Sequence, residues 1–403
     1  MNILENKNII LGVSSGIAIY KAVDLSSKLR KSNANLSVVL TENAKKLVSP
    51  VVFSAVGNCP VYTDLNDVNN GWIPHTQLSM NADALIIAPA TANIIAKIAN
   101  GFADDLLSLI ALAFRKKAKI LVPTMNTRMY ESPALKRNLE TLKNDGWLIV
   151  EPEVGHLACG EIGKGRYPEN NMILEFLEYS LTKKDMNGKN VLITAGPTIE
   201  PIDPVRNITN KSSGKMGYEL ARAFSYRGAE VTLISGPTHI KPPYILKKLI
   251  KVNTAFEMKN EVMKLYKDFD IIIMAAAVSD FKVINYSKEK IKKDLSNFSL
   301  ELIKNPDILK ELGKIKNKNQ FLVGFAAESN NLIDYAKKKL IEKNCDLIVA
   351  NDISKKEIGF DSELNEIYII NKMGDVTHVE KNSKKYIAFR IIDYISDNYN
   401  GKS

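Results

Sequence analysis

A chain of 403 residues exceeds a single ordinary core, since domains cluster at roughly 100–200 residues, so two globular units are expected. Hydrophobic content of 45% and charged content of 25% are those of a folded globular protein, and no run of about 18 apolar residues is available to span a bilayer, so a membrane role has no support. The formal charge of +10 leaves a nucleic-acid surface, multiply phosphorylated substrates or plain solvated faces such as Lys337-Lys338-Lys339, and no basic stripe interleaved with aromatics supports the first.

Met1 to Asn8 is too short and too polar to be a signal peptide, so a cytoplasmic protein is expected. The first strand, Ile9 onward, runs into the turn Gly12-Val13-Ser14-Ser15-Gly16. Aliphatic runs then recur at Leu36 to Leu40, Ala84 to Ala88, Ile120 to Val122 and Trp147 to Val150, with helical stretches between them, the rhythm of βαβ units. The polar stretch Thr182 to Lys189 reads as a linker. A second start follows at Val191-Leu192-Ile193-Thr194-Ala195-Gly196, with further runs at Val231 to Ile234, Ile271 to Met274, Phe321 to Gly324 and Leu347 to Ala350. Glu366 to Ile370, a turn at Lys372 to Asp375 and Val376 onward read as a hairpin before a C-terminal helix. The expected class is α/β, two Rossmann-like three-layer domains with mostly parallel sheets, at 1–189 and 190–403.

Neither glycine turn is a strict fingerprint. The first lacks the third spacing of Gly-x-Gly-x-x-Gly, and Gly214-Lys215-Met216-Gly217 has no Ser or Thr after its lysine. Either turn can hold an anion at a helix start, or serve only as a tight strand-to-helix turn. Cys59, Cys159 and Cys345 are scattered and odd in number, which gives no disulfide framework and no zinc pair.

Sharper signals follow the strands. Ala88-Pro89-Ala90-Thr91-Ala92-Asn93 places small residues and a hydroxyl at a strand end, and Pro123-Thr124-Met125-Asn126-Thr127-Arg128-Met129-Tyr130 lies where open α/β sheets bind ligands. With His75 upstream and Gly155 to Arg166 downstream, the first half resembles the flavin-dependent cysteine decarboxylases. Asp203 to Gly217, Ala275 to Asp280, Lys288 to Lys293, Asn305-Pro306-Asp307 and Gly324 to Glu328 make the second half similar to phosphopantothenate–cysteine ligases. Both halves in this order resemble the bacterial bifunctional coenzyme A biosynthesis flavoproteins over essentially the whole chain.

The resemblance implies FMN at Gly12, Ser14, Ser15, Gly16, Thr41, Ala88, Pro89, Ala90 and Thr91. It implies His75 as acid/base, Asn126 on the substrate carboxylate and Cys159 as proton donor, on a glycine-rich mobile flap. In the second half it implies CTP, with Mg2+, held by Met274, Ala275, Ala276, Asp280, Lys290, Asn305, Pro306, Asp307, Ile308, Phe325, Lys339 and Lys343, and Asn210 acting on an acyl-cytidylate. Lys290, Lys292 and Lys293 are expected to supply positive charge to the leaving pyrophosphate. The implied substrates are 4′-phosphopantothenate, cysteine, CTP and 4′-phosphopantothenoylcysteine, and the implied assembly is a homo-oligomer, trimers of the first half and dimers of the second making a dodecamer. No nucleic acid is among the expected partners. A peptidyl-cysteine decarboxylase fused to an unrelated nucleotide-binding domain and a non-catalytic flavoprotein-like regulatory subunit are the alternatives. Ser15 where glycine is commoner, and Pro74 and Thr76 around His75, depart from the usual pattern.

Overall fold

A computed structural model describes residues 2–65, 73–292, 299–328, 330–352, 354 and 362–399. The chain divides into two compact units, residues 2–182 and 183–403.

The first unit is built on β1 (Asn8–Val13), β2 (Asn35–Leu40), β3 (Val61–Tyr62), β4 (Ala84–Ala90), β5 (Ala118–Pro123) and β6 (Leu148–Ile149). They form one parallel sheet in the order β3-β2-β1-β4-β5-β6. Strands buried on both faces need apolar residues at every position, and here successive residues feed opposite faces. Ile9, Leu11 and Val13 join Ala22, Leu25 and Leu29 of helix Ile19–Lys31 in one core. Ile10, with Leu85 and Ile87 of β4, joins Ile94, Leu107 and Leu139 from helices Ala92–Ala99, Leu106–Ala113 and Pro133–Asn144 in the other. The result is three layers. The glycine-rich segment expected as a flap is an antiparallel hairpin, β7 (Glu153–His156) with β8 (Ile162–Arg166).

The second unit carries β9 (Asn190–Ala195), β10 (Ile199–Pro201), β11 (Asn207–Thr209), β12 (Glu230–Ser235), β13 (Lys248–Lys251), β14 (Ile271–Met274), β15 (Phe281–Val283), β16 (Leu302–Lys304), β17 (Phe321–Glu328), β18 (Leu347–Asp352), β19 (Leu364–Asn371) and β20 (Val376–Ser383). Its main sheet runs β13-β12-β9-β14-β17-β18-β19-β20. The pairs from β13 to β18 are parallel and the last two antiparallel. The β19–β20 turn forms where expected, with Gly374 at φ +87° and its N–H donating to Asn371 O at 3.0 Å, and helix Lys384–Tyr399 follows. Two small ribbons, β10–β11 and β15–β16, lie outside the expected pattern, because three-residue strands are too short to show alternation.

The two sheets share one strand order. In each the first strand is central, the chain moves outward twice, and it then crosses to the other side. The switch points, where ligands bind in such sheets, fall between β1 and β4 and between β9 and β14. The polar stretch read as a linker is fastened to the second unit: fully buried Arg227 donates through Nε to Asp185 Oδ1 at 2.6 Å and through Nη1 to Asp393.

Candidate active sites at two switch points

At the first switch point the loop after β1 meets the end of β4. The Ser14 hydroxyl, 2% exposed, donates to Pro89 O at 2.8 Å and accepts from Thr91 N at 3.0 Å. Ser14 therefore ties the two loops together, while Ser15, Gly16, Thr41 and Thr91 stay half-buried around the crevice. Ala88, Pro89 and Ala90 are buried, and Thr41 N donates to Val13 O at 3.1 Å. Gly12 serves packing, since a Cβ there would fall 2.3 Å from Leu107 Cδ1.

Thr124 N donates to Ala90 O at 3.0 Å, which brings the Asn126 segment alongside. Asn126 caps helix Thr127–Tyr130, its Oδ1 accepting from Met129 N at 2.9 Å, so its amide N–H2 is the end left to meet a ligand. Cys159 is exposed in the β7–β8 turn, its Sγ 4.0 Å from Glu161 Oε2. His75 follows Pro74 in the first turn of helix Pro74–Asn81, a position that accepts proline readily. Its Nδ1 is buried without a partner, and no hydrogen bond joins it to Asn126 or Cys159 among the described residues. A buried imidazole nitrogen left open calls for a partner, and an unmet nitrogen of this kind is a mark of a functional histidine.

At the second switch point, Gly196–Thr198 is zipped to the strand end after β14. Ala277 N donates to Gly196 O at 2.9 Å and Ser279 N to Thr198 Oγ1 at 2.9 Å. Gly196 and Gly214 have φ of +75° and +81°, and a Cβ on Gly217 would lie 2.5 Å from that of Ala195, so helix Lys215–Tyr226 closes tightly on β9. Between these elements lies a cavity of about 930 Å³. Met274, Ala275, Ala276 and Asp280 line one wall, Asn305, Pro306, Asp307 and Ile308 another, and Phe325, Lys339 and Lys343 a third.

Asp307 caps helix Ile308–Ile315 through Lys310 N at 2.9 Å and pairs with Lys343. Burial pushes its carboxyl up, but the Lys343 bond, the Lys310 amide and the neighbouring lysines outweigh that and hold it below the usual carboxylate range. Lys339 donates to Phe325 O at 2.9 Å, and its pKa is lowered, by burial first and by Lys343 as well. Asn305 Nδ2 donates to Ser279 O at 2.9 Å while its Oδ1 is buried with no partner. Asn210 also lines the cavity, but its Nδ2 is engaged by Val278 O at 3.0 Å and Ala277 O at 3.3 Å.

Lys290 is not in the cavity lining. It is exposed on a loop pinned by Ser287 N to Ile202 O at 3.0 Å and by Ile291 N to buried Asp203 at 3.2 Å. Lys292 is likewise exposed, and Lys293 lies outside the described residues. The cavity has instead Lys215, from the motif that ends at Gly217, together with Asn351, Asn365 and Lys384, which carried no local signal in the sequence. Among the described residues no group of three or more His, Cys, Asp or Glu side chains gathers that could hold a metal ion, and no helix is long and apolar enough to cross a membrane.

The family described as Flavoprotein matches residues 2–182, and that described as DNA/pantothenate metabolism flavoprotein C-terminal domain matches residues 186–399. The Coenzyme A biosynthesis bifunctional protein CoaBC of Bacillus subtilis (strain 168) is 46% identical over 397 residues, 98% of this chain and 97% of that protein. The protein of the same name from Escherichia coli (strain K12) is 41% identical over 406 residues, 99% of both. A crystal structure of the C-terminal domain of a CoaBC protein aligns at 39% identity and a TM-score of 0.47, covering 54% of this chain and all of that one.

Proposed function

The chain belongs to the CoaBC family of bifunctional coenzyme A biosynthesis enzymes, a decarboxylase and a phosphopantothenate–cysteine ligase in one polypeptide, and we propose which residues and cofactors serve each activity. The match spans both halves, so neither a peptidyl-cysteine decarboxylase with an unrelated partner domain nor a non-catalytic subunit is favoured.

In the ligase half the 4′-phosphopantothenate carboxylate attacks the α-phosphorus of CTP, the bond to pyrophosphate breaks, and the cysteine nitrogen then displaces CMP from the acyl carbon. Ala275 and Ala276 admit the nucleotide to the strand end, and the unpartnered Oδ1 of Asn305 accepts from the amino edge of the base. Lys339 and Lys343 face its charge, and Asp280 accepts hydrogen bonds from it. Mg2+ brought in with the nucleotide would supply further positive charge to the reacting phosphates. Asn210 must exchange its strand-end bonds to reach the acyl-cytidylate, and Lys290 must move inward with its loop to reach the phosphates. The orphaned Asn305 acceptor inside the cavity carries this reading. Asn305→Ala is expected to raise KM for CTP about tenfold and leave decarboxylation unchanged, and an unaltered KM overturns the assignment.

In the decarboxylase half Gly12, Ser14, Ser15, Gly16, Thr41 and Ala88–Thr91 would hold FMN, which would supply reversible two-electron redox chemistry for the substrate side chain. His75 Nδ1 takes the proton of the substrate thiol as the cysteine side chain becomes a thioaldehyde. The Asn126 amide holds the carboxylate without the charge that would oppose its departure. The bond to carbon dioxide then breaks, its electron pair passes toward sulfur as an enethiolate, and Cys159 supplies the proton that the enethiolate carbon takes up on its way to the thiol.

The protein acts in the cytoplasm as a homo-oligomer. Phe281, Ile284, Tyr286, Leu302 and Ile303 expose an apolar face around the β15–β16 ribbon that suits a ligase dimer, and exposed Ile17, Tyr20, Leu47 and Val51 give the flavin half a face for its trimer.

A further inference from the structure

The β7–β8 hairpin is fastened to the Asn126 segment at several points. Met125 N donates to Gly165 O at 3.1 Å, and Gly165, at φ +146°, has no room for a side chain, since a Cβ would fall 2.0 Å from Met125 O. Gly163 lies as closely over Thr127, whose hydroxyl is buried without a partner. Arg128 meets Glu161 at 3.0 Å near the tip, but Arg128 is largely exposed and such pairs contribute little.

Glu151 makes a more connected tie, although its side chain and that of Lys164 are each partly exposed. Its Oε2 accepts from Tyr130 OH at 2.5 Å and from Lys164 Nζ at 2.8 Å, with Lys164 Nζ 5.2 Å from the centre of the Tyr130 ring. Tyr130 closes the helix that Asn126 caps, and Lys164 sits at the middle of β8, the strand returning from Cys159. One carboxylate thus joins the segment expected to grip the substrate to the strand that returns from the turn holding Cys159. We propose that Glu151 is a positioning residue of the decarboxylase, fixing β8 against the Asn126 segment through Tyr130 and Lys164 and so setting where Cys159 stands over the substrate. The inference rests on the role given to Cys159 above.

Both ends of the tie keep the protonation it needs. Burial and the Glu151 bond push the Tyr130 phenol up, so it remains a donor. Burial pushes Glu151 up too, but the Lys164 and Tyr130 bonds outweigh it and keep the carboxylate charged.

The test gives full-length Glu151→Gln, Lys164→Met, Lys164→Arg and Cys159→Ser proteins 4′-phosphopantothenoylcysteine and weighs the products. Cys159→Ser is expected to release the decarboxylated product two hydrogens poorer than 4′-phosphopantetheine. Glu151→Gln and Lys164→Met should raise the share of that product about tenfold over the parent with KM little changed, and speed exchange of the Met125 amide by about tenfold. Lys164→Arg should retain the parental ratio. An unchanged ratio and unchanged exchange in both variants, or equal loss of both products, overturns the proposal. Parental output from Cys159→Ser would instead sink the reading of Cys159 itself.

Discussion

Single side chains divide the two activities. Cys159→Ser is expected to leave ligation intact and cut 4′-phosphopantetheine formation at least a hundredfold, within the roughly 10²–10⁴ range of a positioned proton donor. Lys339 gives a pH signature in the other half. Its pKa is lowered by burial and by Lys343, so it sheds its proton at a lower pH than an ordinary lysine, and KM for CTP should climb as pH rises through that value. Lys339→Arg, which stays charged, should abolish the climb, and a climb that survives contradicts the assignment. The residues at strand ends were legible because Pro123–Tyr130 and Ala275–Asp280 directly follow apolar runs that must be strands. Asn365 and Lys384 were not, since they reach the cavity from β19 and the last helix and nothing in their local sequence marks them. Lys290 was read from motif resemblance, and folding leaves it exposed on its pinned loop, outside the cavity lining.

Among the elements, parallel strands were the readable part, because burial on both faces writes a continuous apolar run into the sequence. The polar stretch after helix Asn170–Leu181 was harder. It reads as a linker, whereas Asp185 within it is a partner that fully buried Arg227 requires. Arg227→Met should destabilise the second unit by roughly 2–3 kcal/mol in denaturant melts, below the full cost of breaking a buried pair because Asp185 and Asp393 both reach water. Burial raises the Asp185 pKa, but the bonds and charges of Arg227 and Lys183 outweigh it and hold the carboxyl below its ordinary value. A depressed folded-state pKa contributes stability above the unfolded value of about 4 that is lost as pH falls through the folded one. The parent should therefore lose stability below about pH 4 faster than Asp185→Asn, and equal acid slopes would rule the linkage out.

Over the whole molecule, one strand order is used twice, and in each copy the candidate site lies at the switch point between its first and fourth strands. The chemistry differs because the loops differ: the first copy ends its strands in Ser14, Pro89 and Asn126, the second in Gly196, Ala275 and Phe325. The product of the second unit is the substrate of the first, so the protein should carry one acid to one amide-linked thiol without an added enzyme. The direct measurement is mass spectrometry of the purified chain mixed with 4′-phosphopantothenate, cysteine, magnesium and CTP. The account predicts 4′-phosphopantetheine, with 4′-phosphopantothenoylcysteine appearing first, and in the Cys159→Ser protein the decarboxylated product two hydrogens poorer in place of 4′-phosphopantetheine. Absence of both products with CTP in a folded, flavin-loaded protein would contradict it.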